Sequence, residues 1–351
     1  MSFFLPWQLE LAEIYLKNKD KIHTSIVHGS NGIGKFEFAF SYAASLLCES
    51  EHNTIACGGC TSCNLIEKNN HPDLKLIYPE SMNMNKSEMS LEGEGFRYID
   101  IIENNNYSRE IRVQQIRDLL PWLNVTSHRG KKKIIIIYSA NCLNEISSNA
   151  LLKILEEPPL GVVFLIVTNN LHKLLPTIIS RCQLIHLPIP KKNISLDWLR
   201  NVTKLDLLDI EKWLTFTGGA PLKSFFIIKN NLSEPCPFWI MGFLDHISGK
   251  RDFKLYSFLD DNFDKISLFE WIDFFQKLYF DLMLIKFNNS IRYFIKIEDT
   301  ISDISKKIEK HNIIEMILYL NNKKLLIDNN HNINARLLVN VLLQKIMTQV
   351  N

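Results

Sequence analysis

Two stretches of the chain are apolar without a break. Residues 133–138, Lys133-Ile-Ile-Ile-Ile-Tyr138, and residues 162–168, Val162-Val-Phe-Leu-Ile-Val-Thr168, show no alternation, the pattern of strands covered on both faces. Between them, residues 148–157 have helical spacing and stop at Pro158-Pro159. Residues 171–179 add a short helical pattern that delivers Ser180-Arg181-Cys182. Strand, helix, strand in this rhythm predicts a parallel α/β unit flanked by helices. Upstream, residues 7–16 place Leu9, Ala12 and Leu16 on one helical face, and residues 24–28 read as a strand. Residues 36–48 read as a helix with Phe36, Phe40, Ala43, Ala44 and Leu47 on one face. From Leu187-Pro-Ile-Pro190 the pattern shifts to short helices, 196–202 and 207–216, then Gly218-Gly219. Pro235-Cys-Pro237 marks another boundary. Beyond it every segment from 238 to 351 is helical in period, with 268–280 the most apolar and 335–350 the last.

The composition narrows this picture. A length of 351 residues predicts two or three domains, and a hydrophobic content of 46% supports sizeable cores. A net charge of +2 argues against a strong stand-alone nucleic-acid binder. The first residues carry no basic leader, and no apolar run approaches membrane-spanning length, so a cytoplasmic protein is expected. Residues 79–108 are polar and longer than a connecting loop, and their composition predicts disorder. The basic run Arg129-Gly-Lys-Lys-Lys133 reads first as a solvated turn and second as a DNA-backbone contact.

Three stretches carry candidate chemistry. Gly29-Ser-Asn-Gly32-Ile-Gly34-Lys35 lies between a strand and a helix, where glycines let backbone N–H groups face a phosphate and Lys35 adds charge. The next residue is Phe36, where a hydroxyl is needed to ligate Mg²⁺. After the strand 133–138 the chain reads Ser139-Ala-Asn141, and the first carboxylate is Glu145. Both metal-handling positions are therefore filled by other side chains. Hydrolysis of ATP in cis is not expected, while two readings of the loop stand: a weak phosphate site at Gly29, Gly32, Gly34 and Lys35, or a turn kept for backbone geometry. The third stretch is Cys48, Cys57-Gly-Gly-Cys60-Thr-Ser-Cys63. Four of the seven cysteines fall here, at spacings that let four thiolates converge on one ion. Ligand type admits an iron–sulfur cluster, but the Cys-Gly-Gly-Cys knuckle favours a closed, structural Zn²⁺ site. Cys142, Cys182 and Cys236 read as ordinary buried thiols.

Asn149-Ala-Leu-Leu-Lys-Ile-Leu-Glu-Glu-Pro-Pro159 followed by Ser180-Arg-Cys182 resembles the bacterial clamp loader family of AAA+ proteins. Asn69-Asn-His-Pro-Asp73 and the segment 110–119 share the likeness, which covers residues 7–223 with recognisable motifs and is thin beyond them apart from Asn334-Ala-Arg-Leu-Leu338. The resemblance implies an α/β AAA+ P-loop-type domain over 1–187, with a zinc module at 48–63 and an insertion at 79–108. A small helical lid over 188–234 and an all-helical collar over 235–351 that joins the subunits would follow. In that family Ser180-Arg181-Cys182 would lie at a subunit edge, Arg181 reaching ATP held by the neighbour. A zinc module beside a degraded phosphate loop implies the non-hydrolysing branch, with gamma/tau and delta subunits as partners. The sliding clamp and primed DNA would be met through the complex, with no membrane partner. Thr217-Gly-Gly-Ala-Pro-Leu-Lys223 resembles the segment that carries a second phosphate-sensing arginine, with Leu222, or Lys223 in a register shifted by one, in its place. The competing readings are a gamma/tau-like ATPase with a divergent loop and a zinc-containing nucleic-acid-binding module with no loader role.

Overall fold

A computed structural model gives the fold and describes residues 4–18, 23–50, 54–84, 101–103, 108–129, 131–229, 238–249, 263, 268–329 and 333–350. Backbone contacts divide the chain into two compact units, Met1–Ile210 with Gly219–Phe226, and Glu211–Gly218 with Ile227–Asn351.

The first unit is built on a five-stranded sheet. Its strands are β1 (Thr24–His28), β2 (Leu74–Ile77), β3 (Lys133–Ile137), β4 (Val162–Thr168) and β5 (Gln183–His186). They lie in the order β2-β3-β4-β1-β5, every pair parallel. β3 and β4 are central and wholly buried, which is why they read as unbroken apolar runs. Their side chains alternate between two cores. Ile134, Ile136, Val163 and Leu165 face one side with helix α2 (Lys35–Leu47), while Ile135, Ile137, Phe164 and Ile166 face the other with α6 (Glu145–Glu156).

Helix α2 departs from the expected one-faced amphipath. Every residue of it except Glu37 is buried. It is sandwiched between the sheet and a second layer made by Ala12 and Leu16 of α1 (Leu9–Lys17) and Cys63 and Ile66 of α3 (Thr61–Glu67). The cysteine segment is therefore the outer wall of this helix. On the opposite face, α4 (Val113–Arg117) and α5 (Leu119–Leu123) contribute Ile116, Leu119 and Leu123 to the core shared with α6. α6 is capped by Asn144, whose Oδ1 accepts the Ser147 N–H at 2.9 Å, and it ends one residue short of the two prolines' predecessor, at Glu156.

Two expectations need correction. The 79–108 stretch is not uniformly without structure: Met82–Met84 pairs antiparallel with Ile101–Glu103, and Ser81 N–H donates to Ser108 O at 3.0 Å. Residues 85–100 and 104–107 lie outside the described residues, as do Cys236 and the 235–237 boundary. Cys142 and Cys182 are half-buried, not core thiols, because both sit on the rim of the α6 core.

The second unit is helical among the described residues. Helices Phe238–Ser248, Leu268–Lys286, Glu298–Lys307, Lys310–Asn329 and Ala335–Val350 enclose Phe243, Trp271, Phe275, Tyr279, Leu342 and Leu343. Asp281 is fully buried in it. Its carboxylate accepts backbone N–H groups of Arg292, Tyr293 and Phe294, at 2.9 Å for the shortest contact to each, fixing the turn that follows helix Leu268–Lys286. Ile314, Leu318 and Leu325, spaced i, i+4, i+11, are exposed along one face of helix Lys310–Asn329. No helix among the described residues is long and apolar enough to cross a membrane.

Candidate functional site

The glycine loop follows the carboxyl end of β1, beside the point where the strand order reverses, which is where open parallel sheets bind ligands. Gly29, Gly32 and Gly34 all take positive φ. A Cβ at Gly29 would meet the Leu187 carbonyl oxygen, and one at Gly32 would lie 2.5 Å from Lys223 Cβ, so neither position tolerates a side chain. The loop is tied from two directions. Trp7 Nε1 donates to Ile33 O at 3.0 Å and Gln8 Nε2 to Gly34 O at 2.7 Å, while Leu222 N–H donates to Gly32 O at 3.0 Å. The segment resembling a phosphate sensor thus does reach the loop. Leu222 points inward, buried, and Lys223 is half-buried with its stem against Gly32.

Lys35 is 5% exposed and donates to Ser30 O at 2.5 Å. Burial pulls its pKa down to about 8, against a smaller raising effect of Glu37. The His28 and His186 rings stand 5.0 Å apart at the ends of β1 and β5, and burial, His186 and Lys35 together lower the His28 pKa. Nothing in the spacing of these histidines pointed to the loop, since β5 joins β1 only through the sheet. Aromatic rings pack where a phosphate-loop ATPase would carry its Mg²⁺-ligating hydroxyl. Phe36 is 4% exposed, packs edge-on against Tyr138 at 5.0 Å and stacks with Phe40 at 6.0 Å. Asn141 accepts a hydrogen bond from the Thr168 hydroxyl, joining the ends of β3 and β4 where the acidic pair of an ATPase would stand.

A buried lysine with a lowered pKa makes a pH-dependent contribution. Its folded pKa, about 8, lies below the ordinary 10.5, so between these values the unfolded chain binds more protons and stability rises with pH. Below pH 8 the cost of burying the charge is present in full. Lys35→Met is expected to raise stability at pH 7 by up to about 3 kcal/mol, with the gain shrinking as pH rises from 8 to 10.5. Denaturant unfolding of both chains across that range checks it; an equal or lower midpoint for Lys35→Met at pH 7 contradicts it.

Cys48, Cys57, Cys60 and Cys63 are brought together, their sulfurs all within 4.8 Å of one another and Cys48 Sγ 4.0 Å from Cys60 Sγ. Four thiolates bound at about 2.3 Å to one tetrahedral ion sit about 3.8 Å apart, so the set fits Zn²⁺. The N–H groups of Gly59 and Cys60 pull the Cys57 thiol down to about 6, whereas burial pushes Cys48 and Cys63 up. Cys60 also caps α3, its sulfur accepting the Cys63 N–H at 3.4 Å.

A polar chain runs from this cluster into the sheet. Ser62 Oγ donates to Glu49 Oε1 at 2.8 Å, and Glu49 binds Arg129 at 2.6 Å. His71 Nδ1 accepts the Asp73 N–H at 3.1 Å, leaving its Nε2 to meet Ser62 Oγ at 3.2 Å. Asp73, buried, accepts the His128 and Arg129 N–H groups at 2.8 and 3.0 Å. This gives His71 and Asp73 of the 69–73 segment their physical role, and it amends the solvated-turn reading of 129–133 at one end: Arg129 and Lys131 are exposed as expected, Gly130 lies outside the described residues, and Lys133 is buried. Lys131 donates to Cys48 O, and Lys133 is buried beneath Trp122, its ammonium donating to the carbonyls of Trp122 and Val125.

Ser180-Arg181-Cys182 follows the short helix α7 (Pro176–Ile179) and precedes β5. Ser180 Oγ donates to Thr177 O at 3.0 Å, and burial pushes the Cys182 thiol up to about 12. The Arg181 side chain is 37% exposed. Its Nη2 donates to Glu156 Oε1 at 2.9 Å and its Nη1 to Thr177 O at 3.0 Å.

The family model for "DNA polymerase III, delta subunit" matches residues 8–191. The chain is 33% identical over 223 residues to the DNA polymerase III subunit delta' of Pseudomonas aeruginosa, covering 63% of this chain and 60% of that one. It is 34% identical over 165 residues to the DNA polymerase III subunit tau of Escherichia coli, covering 47% of this chain and 21% of that one. The chain thus spans less than two thirds of the curated relatives' length. Among solved structures, a DNA polymerase III gamma subunit-related protein from Thermotoga maritima aligns with 97% of this chain and 99% of its own at 15% identity, with a TM-score of 0.45.

Proposed function

The chain belongs to the DNA polymerase III delta subunit family, whose model takes in residues 8–191, and from that premise we propose that it works as a delta-prime-type clamp loader subunit in DNA replication. It takes part in loading the sliding clamp onto primed DNA without hydrolysing ATP itself. The observation that carries this reading is the Phe36–Tyr138 contact. A ring fills the place of the Mg²⁺-ligating hydroxyl and packs on the residue that opens the would-be acidic segment. Losing such groups costs orders of magnitude in rate, each factor of ten being about 1.4 kcal/mol. The chain's contribution to catalysis is instead Arg181, acting in trans on ATP held by an adjacent gamma/tau-type subunit. A guanidinium suits this because it is always charged and forks onto phosphate oxygens.

Cys48, Cys57, Cys60 and Cys63 hold one structural Zn²⁺, which supplies the wall over α2 and takes no part in chemistry. Residues 1–187 serve as the AAA+ body, 188–234 as the lid and 235–351 as the collar. The exposed Ile314, Leu318 and Leu325 row supports the collar as a surface for gamma/tau and delta subunits. The work is cytoplasmic, and clamp and DNA are met through the complex. A gamma/tau-like ATPase is the second reading, favoured by the identity to tau. Co-purification with tagged gamma/tau and delta subunits of the same organism tests the proposal. A stoichiometric complex is expected. Failure to associate, with tight DNA binding by the chain alone, would favour the zinc-containing nucleic-acid module instead.

A further inference from the structure

Arg181 is the exposed residue on which the proposed action in trans depends, yet its guanidinium is not loose. It is gripped by two groups from different elements: the Glu156 carboxylate at the end of α6, and the Thr177 carbonyl in α7. The two motifs singled out in the sequence, Leu155-Glu-Glu-Pro-Pro159 and Ser180-Arg-Cys182, therefore meet through one ion pair. Side-chain exposures of 37% and 51% make the pair worth little to stability. Its consequence is orientation. An arginine side chain carries large rotamer freedom, which is lost when it docks on a ligand. Two N–H groups engaged out of the five on a guanidinium leave three to donate elsewhere, so the grip and a phosphate contact are compatible.

We infer that Glu156 is a positioning residue that holds Arg181 extended toward the neighbouring subunit's ATP, acting by its acceptor oxygen and not by its charge. This rests on the reading of Arg181 as an arginine finger. Glu156 stays at its place on the helix because Leu155 beneath it is buried and Pro158-Pro159 end the chain's helical path. The hold then shortens the search that an exposed arginine must make in each catalytic cycle.

The test uses the loader reconstituted from this chain and its gamma/tau and delta partners, with assembly checked by gel filtration. DNA-stimulated ATP turnover is measured for Arg181→Ala, Glu156→Ala, Glu156→Gln and the double variant Glu156→Ala/Arg181→Ala. Glu156→Ala is expected to lower turnover by about five-fold or less, a smaller loss than that of Arg181→Ala at the site it serves, in kcat with KM for ATP unchanged. Glu156→Gln, which keeps an oxygen acceptor at the same reach, is expected to retain it. The double variant should be no slower than Arg181→Ala, since Glu156 works only through Arg181. If Arg181→Ala is slow but Glu156→Ala matches wild type, or the two losses add, or Gln falls as low as Ala, the positioning role is wrong while the finger survives. If Arg181→Ala itself matches wild type, the finger reading fails.

Discussion

Removing the metal from the cysteine cluster is expected to unfold residues 54–67 while leaving the parallel sheet folded. α3 is seven residues long, too short to persist alone, and its N-cap is the Cys60 sulfur. Cys48 and Cys63 are buried beside each other, so without a cation their thiolates cannot both be kept. Zinc contributes about 10–16 kcal/mol to folding in isolated zinc-finger peptides. Here the loss is smaller for the whole chain, because α2 keeps its sheet-facing contacts, and larger for the module, which has little else. Elemental analysis should give one zinc per chain, and Cys60→Ser should lose it. Hydrogen exchange should then accelerate over 54–67 and remain slow in β3 and β4. A chain without zinc, or a Cys60→Ser chain that retains it fully, contradicts the site.

Arg181→Ala is expected to leave the chain folded and the complex assembled, while lowering DNA-stimulated ATP hydrolysis and clamp loading. The exposed pair with Glu156 is worth about 1 kcal/mol or less, so folding should hardly notice its loss. The catalytic loss is of another order: fingers of this type are worth about 10³–10⁵ in rate at the site they serve. A loader has several ATP sites, so total turnover should fall only in part, and clamp loading should fall further because the sites act together. Arg181→Lys should rescue poorly, since an ammonium cannot fork across two phosphate oxygens. Turnover unchanged in an intact complex would return Arg181 to an ordinary surface ion pair.

Which features could be read in the sequence follows from where their signal resides. β3 and β4 announce themselves because both faces are buried, and the cysteine cluster because ligand spacing is local. β2 and β5 do not. Leu74–Ile77 is half-buried for three of its four residues, and in Gln183–His186 only Ile185 is buried, so each becomes a strand by pairing with a neighbour far along the chain. The all-round burial of α2 was illegible for the same reason: its outer cover includes α3, whose position depends on the cysteines. Lys133 looked like part of a solvated turn because composition cannot show that Trp122 and the carbonyls beside it form a socket for its ammonium. In the site, the Gly29–Lys35 loop and the lack of a hydroxyl and a carboxylate were legible residue by residue. The packing of Phe36 on Tyr138, and the grip of Glu156 on Arg181 across 25 residues, needed the fold.

ATP turnover by the isolated chain, measured beside the Lys35→Ala variant, bears most directly on the proposal of a loader subunit that does not hydrolyse nucleotide. With Phe36 against Tyr138 and Leu222 seated on the loop, both chains should give background rates at saturating ATP and Mg²⁺, with and without primed DNA. A turnover comparable to that of a gamma/tau subunit, abolished by Lys35→Ala, would contradict it and establish the chain as an ATPase with a divergent loop.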